Sequence, residues 1–226
     1  MKVFENIDCM IGMEKYKDVL LSRNTLAIVD PPYQLDGWHD KGNNRYRFSA
    51  IEGSKRKCWD IQPNETYFNE LKRGSINQII WGGNYFGDYL GRCIAPIIWD
   101  KKNGDIHFAD GELAWTSFTA GTLRFYRKHL SETELMDGRI HPTQKPIALY
   151  KWLLEKYGKG HDLILDTHVG SASSLIACEE MGFDYIGFEL DKDYFDSATK
   201  RIENYRKQEK IFKPERKEII QEKLAV

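Results

Sequence analysis

Thr25-Leu26-Ala27-Ile28-Val29-Asp30-Pro31-Pro32-Tyr33 is the stretch on which the reading of this chain turns. Its first five residues are apolar or β-branched and fit a strand covered on both faces. Pro31 and Pro32 then remove two backbone donors and fix two φ angles, so the strand ends there. Beyond the strand lies a stiff edge with one carboxylate, one free carbonyl and one aromatic ring. Such an edge suits a flat ring that carries an amino group. Asp30 and the Pro31 carbonyl would each accept one N–H while Tyr33 stacks on the ring, leaving the nitrogen lone pair placed for attack. A surface turn that merely begins Asp-Pro is the plain alternative, and the rest of the chain decides between the two.

Downstream, Asp162-Leu163-Ile164-Leu165-Asp166 reads as a second buried strand, followed by Thr167-His168-Val169-Gly170-Ser171-Ala172-Ser173-Ser174 and a helix through Met181. Strand, small-residue turn and helix form the arrangement that lets backbone approach a ligand closely. The next strand, 185–190, carries Glu189, which lies 23 positions after Asp166 (189 minus 166). An acid about 20 residues beyond such a turn is placed for the ribose hydroxyls of an adenosine-containing cofactor. Between these halves, His141-Pro142-Thr143-Gln144-Lys145-Pro146 leads into a helix expected over 147–157. Thr143 reads as its N-cap. The free N–H groups of that helix start, with the charge of Lys145, favour a carboxylate.

Further strands are expected at 76–81, 95–101 and 112–117, and further helices at 14–21, 65–72 and from 193 onward. Gly82 to Gly87 has the spacing of a phosphate loop, but Asp88 and Tyr89 occupy the places of the required Lys and Ser/Thr, which excludes it. Gly83, Gly87 and Gly91 recur every four residues and suggest close backbone packing. Asp100 and Lys101 stand at a strand end of the kind where ligands gather and could equally form a plain ion pair, so no chemistry is assigned to them. Residues 34–59 lack periodicity, and connections this long are usually lids or binding loops. From 41 to 58, Lys41, Arg45, Arg47, Lys55, Arg56 and Lys57 stand against Glu52 alone, with Tyr46 and Phe48 interleaved and Trp38 just before. Cations for phosphates and aromatics for bases are what a nucleic-acid contact needs. Trp38, Arg45, Arg47, Lys55, Arg56 and Lys57 are therefore the candidate DNA contacts. The tail, 196–226, is charged, helical and interrupted by Pro214, as a solvated helix would be.

The 226 residues suffice for one α/β domain with a substantial core. Hydrophobic content of 41% with 30% charged residues is ordinary for a globular chain. No apolar run approaches membrane-spanning length, and residues 1–13 lack a secretory core, so a cytoplasmic location is the default. Cys9, Cys58, Cys93 and Cys178 are scattered, with no metal-ligand spacing, so buried or idle thiols are expected and no metal. A net charge of −1 leaves any basic surface local.

Asp30-Pro31-Pro32-Tyr33 resembles the catalytic motif of the amino-methyltransferases that modify adenine, and less often cytosine, in DNA. Trp81-Gly82-Gly83-Asn84-Tyr85-Phe86 resembles a stretch of the small phage-type adenine enzymes and makes Asn84 a candidate wall of the target-base pocket. His141 to Pro146 matches a hexapeptide of the same group. Their cofactor loop runs Asp-x-Phe-x-Gly-small-Gly-Thr. This chain keeps Asp166, Gly170 and Ser171, and departs with His168 for the aromatic, Ala172 for the second glycine and Ser173 for threonine. The resemblance covers residues 8 to about 195, with the catalytic motif ahead of the cofactor motifs, the permuted order of one group. It implies a Rossmann-like fold with a mostly parallel seven-stranded sheet and helices on both faces, in a single domain. It also implies S-adenosylmethionine as cofactor, held by Asp8, Asp30, His141, Thr143, Lys145, Asp166, His168, Gly170, Ser171 and Glu189. Asp8 serves equally well as a helix N-cap. Catalysis would fall to Asp30, Pro31, Pro32 and Tyr33, acting on the adenine N6 amino group in DNA, in a bacterial or phage-infected cell. The cytosine amino group, an RNA or protein acceptor, and a non-catalytic binding module remain open, as does a homodimer. Residues 118–140 are too few for a separate recognition module, so a short or relaxed sequence preference is expected.

Overall fold

The computed structural model describes residues 1–33, 61–102, 110–121, 123–127, 140–141 and 144–212. Residues 34–59, with all six candidate DNA contacts, lie outside them, as do Thr143 and the tail beyond 212.

The elements in chain order are β1 (Lys2–Asn6), α1 (Cys9–Lys15), α2 (Lys17–Ser22), β2 (Thr25–Val29), α3 (Glu65–Arg73), β3 (Asn77–Trp81), α4 (Gly87–Leu90), β4 (Ile97–Asp100), β5 (Gly111–Thr116), β6 (Arg124–Arg127), α5 (Ile147–Tyr157), β7 (Leu163–Asp166), α6 (Ser173–Met181), β8 (Asp184–Glu189) and α7 (Lys192–Phe212). Among the described residues they form one sheet in the order β1-β8-β7-β2-β3-β5-β4-β6. All pairings are parallel except those of β5 with β3 and β4.

Thr25–Val29 lies in the middle of this sheet. All five residues of β2 are buried, and its period of two divides the core. Leu26 and Ile28 join Ile79, Trp81 and Ile164 against α5, α6 and α7. Ala27 and Val29 join Ile80, Leu165 and Phe188 against α1, α2 and α3. Each face is thus covered by helices, which is why these strands read as continuous apolar runs rather than as alternation.

Four expectations change. The sheet has eight strands rather than seven, because Lys2–Asn6 pairs with β8 and Arg124–Arg127 pairs with β4. The second of these lies inside residues 118–140, so part of that segment belongs to the central sheet. The helix expected over 14–21 is two short helices joined at Tyr16, whose φ of −101° and ψ of 12° interrupt the turn. Of the three spaced glycines only Gly83 is tightly packed; a Cβ at Gly87 or Gly91 would meet no described atom within 4 Å.

Parallel order carries the C-terminal ends of β1, β2, β3, β4, β7 and β8 to one edge, and the antiparallel β5 brings its first residues to the same edge. Glu112 is thereby registered opposite Trp99. Beyond β2 and β7, which are neighbours, the next described helices, α3 and α6, pack on opposite faces of the sheet, the arrangement that places a ligand crevice between two such strands.

Gly83 lies against Trp115, where a Cβ would come within 2.4 Å of the Trp115 Cβ and 2.7 Å of its backbone nitrogen. Strand backbone cannot retreat cheaply, so Gly83→Ala should lower stability by about 1–3 kcal/mol. Chemical denaturation of both proteins measures it, and an unchanged midpoint would show that the turn relaxes freely.

Candidate active site

Asp30 stands directly beyond β2, with its side chain 15% exposed. Its Oδ1 accepts a hydrogen bond from the Tyr33 hydroxyl, and its Oδ2 accepts one from Lys145 Nζ at 2.5 Å. The Lys145 side chain is only 2% exposed, and its ammonium is also 3.0 Å from Glu112 Oε2. Glu112 is held from its other side by Lys101 Nζ at 2.6 Å. Two cations and two carboxylates thus form a chain along the sheet edge, with Lys145 over the Trp81 ring and Lys101 over the Trp99 ring. Burial alone would push the Lys145 ammonium down, but Asp30 and Glu112 together hold it above its ordinary value. Burial would likewise raise Glu112, and the two lysines outweigh it, bringing the carboxyl down to about 2.

Pro31 is buried, and Pro32 and Tyr33 are half-buried. The Tyr33 ring stacks on Tyr85 at 4.9 Å between centroids and rests against Gly82. Gly82 has a φ of 67°, and a Cβ there would run into the Tyr33 ring, so both demands call for glycine. Asn84 is exposed in the turn beyond it.

Across the crevice, the buried Asp166 organises the loop after β7. Its Oδ1 accepts from the His168 backbone N–H at 3.1 Å and its Oδ2 from Ser174 Oγ at 2.5 Å. Even so, burial pushes its carboxyl up to about 7. Gly170 takes a φ of 54° and donates its N–H to Glu189 Oε2 at 2.8 Å, and Glu189 Oε1 accepts from Asp191. His141 covers Gly170, with ring atoms about 3.5 Å from where a Cβ would project, and meets Tyr194 edge-on at 4.4 Å. Ala172, where the family pattern has glycine, takes a left-handed φ of 62° at a strain of about 1 kcal/mol. The departure from the pattern therefore changes the side chain and leaves the backbone shape intact.

The structure brings Asp30, Pro31, Tyr33 and Lys145 together on one side, and His141, Asp166, His168, Gly170, Ser171 and Glu189 on the other. Asp8 is the N-cap of α1, accepting from Met10 N at 2.9 Å and Ile11 N at 3.2 Å, and its charge also reaches His168. Thr143 is not the N-cap of α5. That helix begins at Ile147 with Pro146 in the cap position, because a proline just inside the hexapeptide postpones the turn. Lys145 is not a free cation at a helix start, since its ammonium donates to Asp30 and is ion-paired with Glu112. Lys101 pairs with Glu112 instead of Asp100, whose Oδ1 accepts from the Lys102 backbone.

Two contributors were illegible in the sequence. Glu112 reaches the site through antiparallel register, which has no local signal. Arg201, read as part of a solvated tail, donates to the Ser171 carbonyl at 2.7 Å and to Ser173 Oγ at 2.9 Å, tying the loop to α7. Cys178 is buried, and burial pushes the Cys9 thiol up to about 12, so neither is a nucleophile at neutral pH.

His168 packs edge-on to Tyr67 at 5.4 Å, and its Nδ1 is 2.9 Å from Thr167 Oγ1. Burial lowers its imidazole from 6.5 to about 4, with Asp8 opposing. The unfolded chain therefore takes up this proton first, and stability present above about pH 6.5 is lost as pH falls toward 4. His168→Phe should lose less stability than the parent between pH 7 and pH 5 in denaturant titrations. Equal losses would contradict the assignment.

A family model described as DNA methylase (N6_N4_Mtase) matches residues 24–200. The type II methyltransferase M.HpaI of Haemophilus parainfluenzae is 34% identical over 235 residues, covering 88% of this chain and 74% of that protein. Among solved structures, the M1.HpyAVI–SAM complex is similar with a TM-score of 0.62 at 21% identity, covering 89% of this chain and 100% of the other. The cytosine-N4-specific PvuII DNA methyltransferase is similar with a TM-score of 0.56 at 12% identity, covering 90% and 89%. Both structures share the fold. With a family match that takes in β2, the Asp30–Tyr33 edge and the loop after β7, the chain belongs to the N6/N4 DNA methylase family.

Proposed function

We propose that this protein is an S-adenosylmethionine-dependent methyltransferase acting on the N6 amino group of adenine in DNA. The observation that carries the reading is the Asp30 carboxylate, held at the mouth of the β2/β7 crevice and facing a loop built for an adenosine-containing ligand.

The loop residues fit the cofactor. Gly170 keeps the turn beneath His141 free of a side chain, the Glu189 carboxylate lies at the same turn for ribose hydroxyls, and His168, neutral at physiological pH, offers a flat ring. Asp8 is within electrostatic reach of that ring. When bound, S-adenosylmethionine supplies a methyl group on a positively charged sulfur.

The target base leaves the duplex stack to reach such a site. Asp30 and the Pro31 carbonyl accept the two N–H groups of the amine, and Tyr33 stacks on the ring. Tyr85 covers one face of Tyr33 and is 46% exposed, so the base takes the place of Tyr85 on that face. Drawing on both hydrogens directs the nitrogen lone pair toward the methyl carbon. A bound S-adenosylmethionine would give up its methyl carbon to this lone pair and keep the S–C electron pair on sulfur. The nitrogen sheds one proton, for which Asp30 is the nearest base, and no covalent enzyme intermediate is involved.

An acid at position 30 favours adenine. The cytosine amino group is the second reading, supported by a family model that covers both amino groups and by the shared fold of the cytosine-N4-specific enzyme. We read the chain as one catalytic domain in which residues 34–59 contact DNA, with Trp38, Arg45, Arg47, Lys55, Arg56 and Lys57 as contacts. Among the described residues no helix is long and apolar enough to cross a membrane.

Incubation with S-adenosylmethionine and unmethylated DNA, followed by digestion to nucleosides and mass spectrometry, should yield N6-methyl-2′-deoxyadenosine. N4-methyl-2′-deoxycytidine would favour the second reading, and no product on DNA would overturn both. Asp30→Ala should lower the rate by at least about 100-fold while cofactor binding persists, and a near-normal rate would remove Asp30 from the mechanism. A methylome map should show a short or relaxed recognition sequence; a long strict site would contradict the assignment of recognition to residues 34–59.

A further inference from the structure

The ion chain extends past any group that can touch the base. Glu112 is the first carboxylate of β5, with its side chain 26% exposed, and its partners are Lys101 at 2.6 Å and Lys145 at 3.0 Å. Lys145 alone links it to Asp30. An ammonium whose side chain is 2% exposed is costly unless paired, and pairing with a single carboxylate would already satisfy that need. A second carboxylate on the same ammonium does something different. It divides the positive charge, so that Asp30 is oriented by Lys145 without being fully neutralised by it. Asp30 must accept an N–H from a weakly acidic amine, and its strength as an acceptor falls as its cation binds it more exclusively.

We infer that Glu112 is a positioning residue for methyl transfer, acting through Lys145 to hold the Asp30 carboxylate toward the target amine while sharing the ammonium's charge. The inference rests on the proposed methyl-transfer function and adds the residue that tunes its catalytic acid. The effect of Glu112 is confined to the chemical step, because the loop that would hold the cofactor is built on separate residues.

The charged and titratable groups around Lys145 are Asp30 and Tyr33 after β2, Glu112 on β5, Lys101 after β4, and Tyr150 on α5, with Asp166 beyond Asp30. Asp30 and Glu112 are the two that raise Lys145 against burial. Removing the Glu112 charge leaves one carboxylate to do so, and the ammonium then loses its proton at lower pH. Activity that requires the charged form should acquire a descending alkaline limb.

The test compares the parent protein, Glu112→Gln and Glu112→Asp for kcat across pH 6–10, cofactor dissociation constant and thermal midpoint. For Glu112→Gln, a fall in kcat of about tenfold, an alkaline limb at lower pH and an unchanged cofactor constant are expected. Glu112→Asp, which keeps the charge, should recover much of the rate and the parent's alkaline behaviour. Parent-like kcat and an unshifted limb in Glu112→Gln would overturn the inference while the functional reading stands. So would a lowered thermal midpoint with an otherwise parental pH profile, the mark of a merely structural residue. Should Glu112→Gln fail to fold, Glu112→Asp decides: kcat below the parent's with a normal cofactor constant supports the inference, and unchanged kcat overturns it. Absence of transfer by the parent protein overturns the functional reading, and the inference with it.

Discussion

A lysine ammonium buried between two carboxylates is the constraint on which the active edge depends. Lys145 comes from the segment before α5, Asp30 from the end of β2 and Glu112 from the start of β5, with Lys101 at the end of β4 closing the set. Separating any one from its partners leaves a charge in a poorly hydrated place, at a cost of order 3–5 kcal/mol. The four chain segments are thereby locked in register by electrostatics rather than by packing alone. The lock acts at the sheet edge that carries Asp30.

The opposite wall of the crevice is held by hydrogen bonds to backbone. Asp166 binds the loop to α6 through Ser174, Glu189 binds it to β8 through Gly170, and Arg201 binds it to α7 through Ser171. Two helices and a strand thus grip one short turn. That explains how Ala172 is kept in a left-handed conformation that its side chain disfavours. The left-handed turn opens the loop toward the crevice, so strain at one residue maintains the shape of the ligand cradle.

Much of this was legible because the signals are local. Val29 followed by Asp30-Pro31-Pro32 must end a strand whatever surrounds it, and β2 ends there. The apolar runs at 77–81 and 163–166 are buried on both faces, and the helices at 65–73, 147–157 and 173–181 follow the expected periodicity. Features set by partners distant in sequence escaped. Lys2–Asn6 is a strand only because β8 presents a free edge to it, and Arg124–Arg127 only because β4 does. Thr143 has the residue type of a cap, but Pro146 holds that position.

The amino-acid sequence by itself determined where the candidate groups lie: a carboxylate and a free carbonyl where a strand is forced to stop, and small residues in the turn between a strand and a helix. Covalent geometry and side-chain type dictate these, and neither needs knowledge of neighbours. The tertiary structure alone decided what Asp30 is bonded to. Lys145 lies 115 residues away and Glu112 enters through an antiparallel pairing, and the energy of a buried ion set depends on distance and solvent exclusion, which only the assembled fold defines.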